Sequence, residues 1–256
     1  MNYNFHTHTM RCRHANDSDE EYIIKAIEAG ITHLGFSDHA PLMFPDGHES
    51  HYRIPMNEAK NYIEDLRALR EKYKDKIEII IGLEMEYYSE HFESMLETAR
   101  NIGAEYIILG QHFILGEHPN GIGASGPTDN AEHLITYVNE VTEAMKTGMF
   151  SYLAHPDLMC FTGDDGIYDS EMRRLCKAAK ELKVPLEVNL LGIRKKKHYP
   201  NDFFWKIAGE VGGPVVIGVD AHASGAFLNK EQYSYAKELI KRYNLNYIGM
   251  PKLINI

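Results

Sequence analysis

Cysteine is scarce: Cys12, Cys160 and Cys176 are the only three, an odd number with no Cys-x-x-Cys spacing. That excludes a disulfide-stapled fold and a site built on clustered thiolates. No apolar run approaches the roughly 20 residues a helix needs to span a bilayer, and no cleavable leader pattern is read, so the expected setting is cytoplasmic and free of membrane. There is no Pro- or Ser-rich linker, internal repeat or low-complexity tract, so residues 1–256 are expected to form one domain large enough to bury a full core. Basic residues are also in deficit. The 27 Lys and Arg against 37 Asp and Glu give a net charge of -10, which argues against a general nucleic-acid surface and requires any phosphate-binding feature to be local.

Histidine is what the chain has in quantity, and its placement is informative. His6-Thr7-His8 follows the short apolar stretch 1–5. In extended chain, side chains two apart share a face, so His6 and His8 can grip one ion. A His-x-His pair alone is common and often inert, but the pattern recurs. His14 follows; His39, Glu84, His112, His155, Asp220 and His222 each stand where a further apolar run stops.

Helical signals separate these runs. Ser18-Asp19-Glu20-Glu21 is a capping box opening an amphipathic stretch to Ala29, with Gly30 placed to end it. In 57–74, Tyr62, Leu66, Leu69 and Tyr73 share one face. The stretches 90–101, 130–146, 169–182, 201–211 and 229–243 read similarly. The strand candidates are nearly continuous apolar runs, as in a parallel sheet buried on both faces. An open doubly wound sheet would gather its functional residues at one switch point. Here nearly every strand end contributes one, which favours a seven-stranded barrel with its site at the C-terminal ends of the strands and 245–256 as a closing tail.

Imidazoles with a few carboxylates suit Zn, Fe or Mn better than Ca or Mg. Nine donors are too many for one catalytic ion, which usually takes three protein ligands and keeps a position open. Two or three divalent ions are therefore expected, an arrangement that generates hydroxide at neutral pH and clamps the oxygens of an in-line displacement at phosphorus.

Taken in order, His6-Thr7-His8, His14, His39, the Gly-x-Glu ending at Glu84, His112, His155-Pro156 and Asp220-Ala221-His222 resemble the motif set of the PHP (polymerase and histidinol phosphatase) metallophosphoesterases. The resemblance spans Phe5 to His222 and implies an α/β fold, a distorted (β/α)7 TIM-like barrel. It also implies that His6, His8, Glu84 and Asp220 hold one ion, that Glu84 bridges to a second held by His112 and His155, and that His14, His39 and His222 hold a third. Ser37 to Pro41, and the Glu-x-Asn and Gly-x-Arg-Lys within Glu187 to Lys195, look like the monofunctional histidinol-phosphatase branch; Leu190-Leu191 departs from the smaller polar residues expected there.

That branch implies hydrolysis of the small phosphomonoester L-histidinol phosphate, in histidine biosynthesis, by attack of a metal-bridging hydroxide. Arg194 would pair with phosphate through its planar fork, Lys195 and Asn189 would complete the substrate contacts, and Asp220, His222 or a metal-bound water would protonate the leaving alkoxide. The sequence leaves metal identity and oligomeric state open.

Plainer readings stand beside these. Lys195 to Lys197 is most simply a solvated face, and His33, His48, His51, His118 and His198 are expected on surfaces or loops. Glu86 shares a strand face with Glu84 and competes with it as a ligand. Asp38 and Asp157 are candidates to orient imidazoles. The long loop 41–55, with Asp46, Glu49, Phe44 and Tyr52, is read as an acidic, aromatic lid for a cationic substrate. Other functions weighed are a phosphatase for another small monoester or phosphotyrosine, a nuclease or proofreading module, an amidohydrolase and a non-catalytic scaffold. A nuclease calls for a basic groove, an amidohydrolase for a lysine where His112 stands, and a scaffold for missing ligands.

Overall fold

The structure, a computed structural model, describes residues 1–256. In chain order it runs β1 (Tyr3–Asn4), α1 (Asp19–Glu28), β2 (His33–His39), α2 (Ala59–Tyr73), β3 (Glu78–Met85), α3 (Phe92–Ile102), β4 (Tyr106–Leu109), β5 (Phe113–Ile114), β6 (Ile122–Gly123) and α4 (Ala131–Lys146). It continues with β7 (Phe150–Leu153), α5 (Asp165–Leu182), β8 (Leu186–Asn189), α6 (Leu190–Lys195), α7 (Asp202–Val211), β9 (Pro214–Gly218), α8 (Lys230–Arg242) and β10 (Asn246–Tyr247).

Eight strands form one parallel sheet in the order β1-β2-β3-β4-β7-β8-β9-β10. The sheet curls until the chain beyond β1 meets the chain beyond β9. There Thr7 bridges Ala221 in parallel, with the His8 amide donating to the Ala221 carbonyl at 3.0 Å and the Ala221 amide to that of His6 at 3.1 Å. The result is the expected distorted barrel. The closing tail adds a short eighth strand, β10 on β9, and Asn255 bridges Tyr106. No helix is long and apolar enough to cross a membrane.

Two cores follow from strand alternation. Between sheet and helices lies a large apolar layer that includes Tyr22, Ile63, Leu83, Val141, Leu175 and Trp205. Inside the barrel is a small one of Tyr3, Phe5, Tyr106, Ile108, Tyr152, Ala154 and Val216. Tyr106 plugs its centre. Its hydroxyl lies 2.9 Å from the Phe5 carbonyl and 3.1 Å from that of Phe36, and its ring fills the space left by Gly35 and Gly82. Above this plug the inward positions turn polar, and the site begins.

Local chemistry sets the helix ends. The capping box of α1 forms as read, Ser18 and Glu21 satisfying each other's amides. Helix α5 starts earlier than the apolar periodicity predicts, because the Asp164 carboxylate caps the amides of Gly166 and Ile167. Helix α6 is absent from the stretches that periodicity predicts; the Asn189 side chain caps the amides of Leu191 and Gly192 and nucleates it. The two-residue strands of the β5–β6 hairpin were not foreseen.

Candidate metal centre

The expected donors converge at the C-terminal ends of the strands. The β2–β3 register sets His39 beside Glu84, and the bridge at the seam brings His6 and His8 against Asp220 and His222. His155 and Asp220 sit at φ 30° and 49°, a left-handed conformation that non-glycine residues rarely adopt and that marks functional sites.

Four donors make a compact cage. Glu84 Oε2 lies 3.5 Å from His6 Nε2 and 3.4 Å from His8 Nε2, and Asp220 Oδ1 lies 3.5 and 3.3 Å from the same nitrogens. Ligands about 2.1 Å from a tetrahedral ion stand roughly 3.4 Å apart, so these edges fit one. All four atoms are buried without a hydrogen-bond partner, a costly state unless a cation satisfies them. The other oxygen, Glu84 Oε1, lies 2.9 Å from His155 Nε2 and 3.7 Å from His112 Nε2, so the carboxylate faces two donor groups at once. His14, His39 and His222 form a further group at the rim. His39 is less exclusive than the family resemblance implies: its Nδ1 is 3.3 Å from Glu84 Oε2, and it also groups with Glu84 and His112.

The electrostatics suit cations. Burial disfavours charge on His6 and His8, yet the surrounding carboxylates outweigh it and hold both pKa values well above the usual imidazole range. Burial likewise opposes ionisation of Glu84 and Asp220, and the ring of histidines drives both well below the usual carboxylate range. At the rim, burial and neighbouring His8 push His222 down to about 4, leaving it a neutral donor.

Behind the donors stands a layer of residues the sequence reading only partly found. Asp38 behaves as expected: it lies 3.4 Å from His8 Nδ1 and accepts from the Thr9 amide and hydroxyl. Glu86 partners a candidate ligand, holding His112 Nδ1 at 2.8 Å. Arg53, buried at the end of the 41–55 loop, pairs with Glu86 at 2.7 Å and with Glu117 at 2.8 Å, and Tyr52 bonds to both carboxylates. Glu187, 2.9 Å from His6 Nδ1, stands out in the sequence only as part of the Glu-x-Asn pattern. Its signal was its i, i+2 relation to Asn189 at a strand end, which puts both side chains inside the barrel.

One expectation is corrected. Asp157 does not orient an imidazole; it accepts from the Asn201 amide at 2.6 Å and Trp205 Nε1 at 3.1 Å, tying down the start of α7. Asn189, expected at the substrate, is buried, caps α6 with its oxygen, and spends its amide on Glu187 and Asp220. Cys12 is a buried thiol that donates to the Thr9 carbonyl.

A cavity of about 1040 Å³ opens over the cluster. Arg194, Lys195 and Lys197 line one side, and Tyr52, Phe113 and Tyr199 give it aromatic surface. His51 and His198, read as surface or loop, also line it. The acidic-lid expectation is overturned: Asp46 is tied to His118 at 2.8 Å, and the 41–55 loop presents His51 and Tyr52 to the cavity in place of Asp46 or Glu49.

The chain has known relatives. It is 26% identical over 228 residues to a probable histidinol-phosphatase of Deinococcus radiodurans, covering 86% of each chain. It is 25% identical over 258 residues to the histidinol-phosphatase of Bacillus subtilis, covering 86% of this chain and 93% of that one. Its fold is similar to that of the Lactococcus lactis histidinol phosphate phosphatase, solved with Zn, L-histidinol and phosphate, with a TM-score of 0.73 at 18% identity over 96% of this chain and 95% of that one. The PHP domain model matches residues 4–190, well over half of the sequence. This chain therefore belongs to the PHP domain family.

Proposed function

We propose that this chain is a metal-dependent phosphatase that hydrolyses L-histidinol phosphate to L-histidinol and phosphate, in the cytoplasm. The observation that carries the phosphatase reading is the cage of buried, unpartnered donors on His6, His8, Glu84 and Asp220 opening onto a cavity with Arg194 at its wall. The substrate comes from the named relatives.

The ions are proposed as two or three of Zn, Fe or Mn. The cage would hold the first, Glu84 Oε1 with His112 and His155 the second, and His14, His39 and His222 the third. When bound, such ions supply Lewis acidity and lower the pKa of water.

The remaining work falls to the chain. Arg194 donates to the carbonyls of Val219 and Asp220 and to Gln232 Oε1, all neutral acceptors, so its charge stays available to a phosphate in the cavity. Lys195 adds a second cation on the same wall. Asp220 and His222, whose facing atoms stand 3.1 Å apart between the cluster and the cavity rim, are the side chains proposed to supply the proton for the leaving alkoxide.

One observation favours a second reading, a phosphatase for another small monoester. The only carboxylates lining the cavity are Glu84 and Asp220, both assigned to ions, which leaves none for a cationic amine. Steady-state phosphate release by metal-reconstituted protein tests both, comparing L-histidinol phosphate with p-nitrophenyl phosphate, a phosphotyrosine peptide and a short oligonucleotide. A kcat/KM for histidinol phosphate far above the rest, abolished by chelation, supports the first reading. Weak, similar rates on all monoesters leave only the phosphatase chemistry, and no release from any substrate overturns both.

A further inference from the structure

We propose that Glu187 is a positioning residue that aims the ligands His6, His155 and Asp220 at the metal ions from behind. The inference rests on the metal-dependent reading of the site and is independent of which phosphomonoester is cleaved.

The Glu187 side chain is fully buried, and every group it meets can donate. His6 Nδ1 lies 2.9 and 3.2 Å from its two oxygens. The His155 amide donates to Oε2 at 3.2 Å, and Asn189 Nδ2 donates to Oε2 at 2.9 Å. Three donors from three strand ends call for a group that only accepts, which an ionised carboxylate is and an amide is not.

Each contact has a consequence at the ions. With a cation in the cage, a proton held on His6 Nδ1 fixes the tautomer whose Nε2 lone pair faces it between Glu84 and Asp220. The bond to the His155 amide holds that residue in its left-handed conformation, from which Nε2 reaches Glu84. Asn189 cannot rotate freely, because its oxygen is committed to the amides that start α6. Its amide therefore spans from Glu187 to Asp220 Oδ2 at 3.0 Å, leaving Asp220 Oδ1 for the cage. The neighbouring strand is shaped to admit this carboxylate: a Cβ on Gly218 would lie 1.7 Å from Glu187 Oε1.

A purely structural hub would, when removed, lower stability and leave ion affinity alone. The experiment measures the Zn dissociation constant by chelator competition, together with the His6 tautomer by 15N NMR and thermal unfolding in excess chelator. Glu187→Gln places an NH2 group among donors; it should weaken Zn binding by about 10- to 100-fold and remove the fixed Nδ1–H tautomer. Gly218→Ala keeps the charge but must displace the carboxylate, and should shift both readouts in the same direction. Glu187→Asp, which keeps the charge and withdraws it by one methylene, is read the same way if Glu187→Gln fails to fold. Wild-type affinity and tautomer in these variants, whatever their stability, would overturn the proposal. Wild-type protein that binds no divalent ion would overturn the metal-dependent reading with it.

Discussion

Arg53→Met is the most exacting test of how the site is supported. Arg53 is 2% exposed and its partner Glu86 is fully buried, with Arg53 Nη1 2.7 Å from Glu86 Oε2. Charge centres about 4 Å apart at an effective dielectric of about 20 attract by roughly 4 kcal/mol. Removing one partner of a buried pair costs about 3–5 kcal/mol, because the other charge is left uncompensated. Methionine keeps the aliphatic length and drops the charge, so R53M should lose about 3–5 kcal/mol in urea unfolding, measured in excess chelator so that ion binding does not mask the change. A double-mutant cycle with Glu86→Gln should return a coupling of about 2–3 kcal/mol. The pH dependence has a definite sign. Burial alone would raise the Glu86 pKa, but Arg53 and His112 hold it below its ordinary 4.5. That stabilisation is present above 4.5 and is lost as pH falls through the lower, folded value. The R53M deficit should therefore be largest near neutrality and shrink on acidification. A deficit under about 1 kcal/mol, or no coupling to Glu86, refutes the reasoning.

Two further perturbations probe the scaffold. A Cβ at Gly82 would lie 2.4–2.5 Å from the Tyr106 ring and its carbonyl, so Gly82→Ala should destabilise by at least about 1–3 kcal/mol in the same unfolding assay, and wild-type stability would show that the barrel plug yields freely. Burial raises the Asp157 pKa from 3.8 to about 7, so the folded state keeps a proton the unfolded state has lost. Stability should fall by about 4 kcal/mol as pH rises between these values, at about 1.4 kcal/mol per unit, and Asp157→Asn should flatten that profile. An unchanged slope in the variant would assign the pH dependence elsewhere.

The convergence of the nine candidate donors was legible because all but His14 stand at the end of an apolar run, and a buried parallel strand announces itself by composition alone. Their partners were less so. His6 and Glu187 are 181 positions apart, and only the closed barrel makes them neighbours. Arg53 reads in sequence as one more charge at the end of a long loop; its burial between Glu86 and Glu117 depends on three separate segments meeting. Helix α6 went unread for a local reason, since six residues carry too little periodicity and its start is set by one capping side chain. The lid failed on direction: composition placed acids and aromatics on loop 41–55, but not which of them face the cavity.

The seam at Thr7 and Ala221 has a consequence for how the protein is made. Donors on the two sides of that single bridge come from distant parts of the chain, so His6 and His8 wait for Asp220 until some 200 further residues have left the ribosome. Loop closure over such a span is slow, and no earlier segment can supply the missing corner of the cage. A chain arrested before residue 220 would hold histidines but no complete cage. Capture of an ion by the complete cage would thus be a late event in biogenesis, and the ion, by clamping the chain beyond β1 to the chain beyond β9, would act as a clasp that reports a closed barrel.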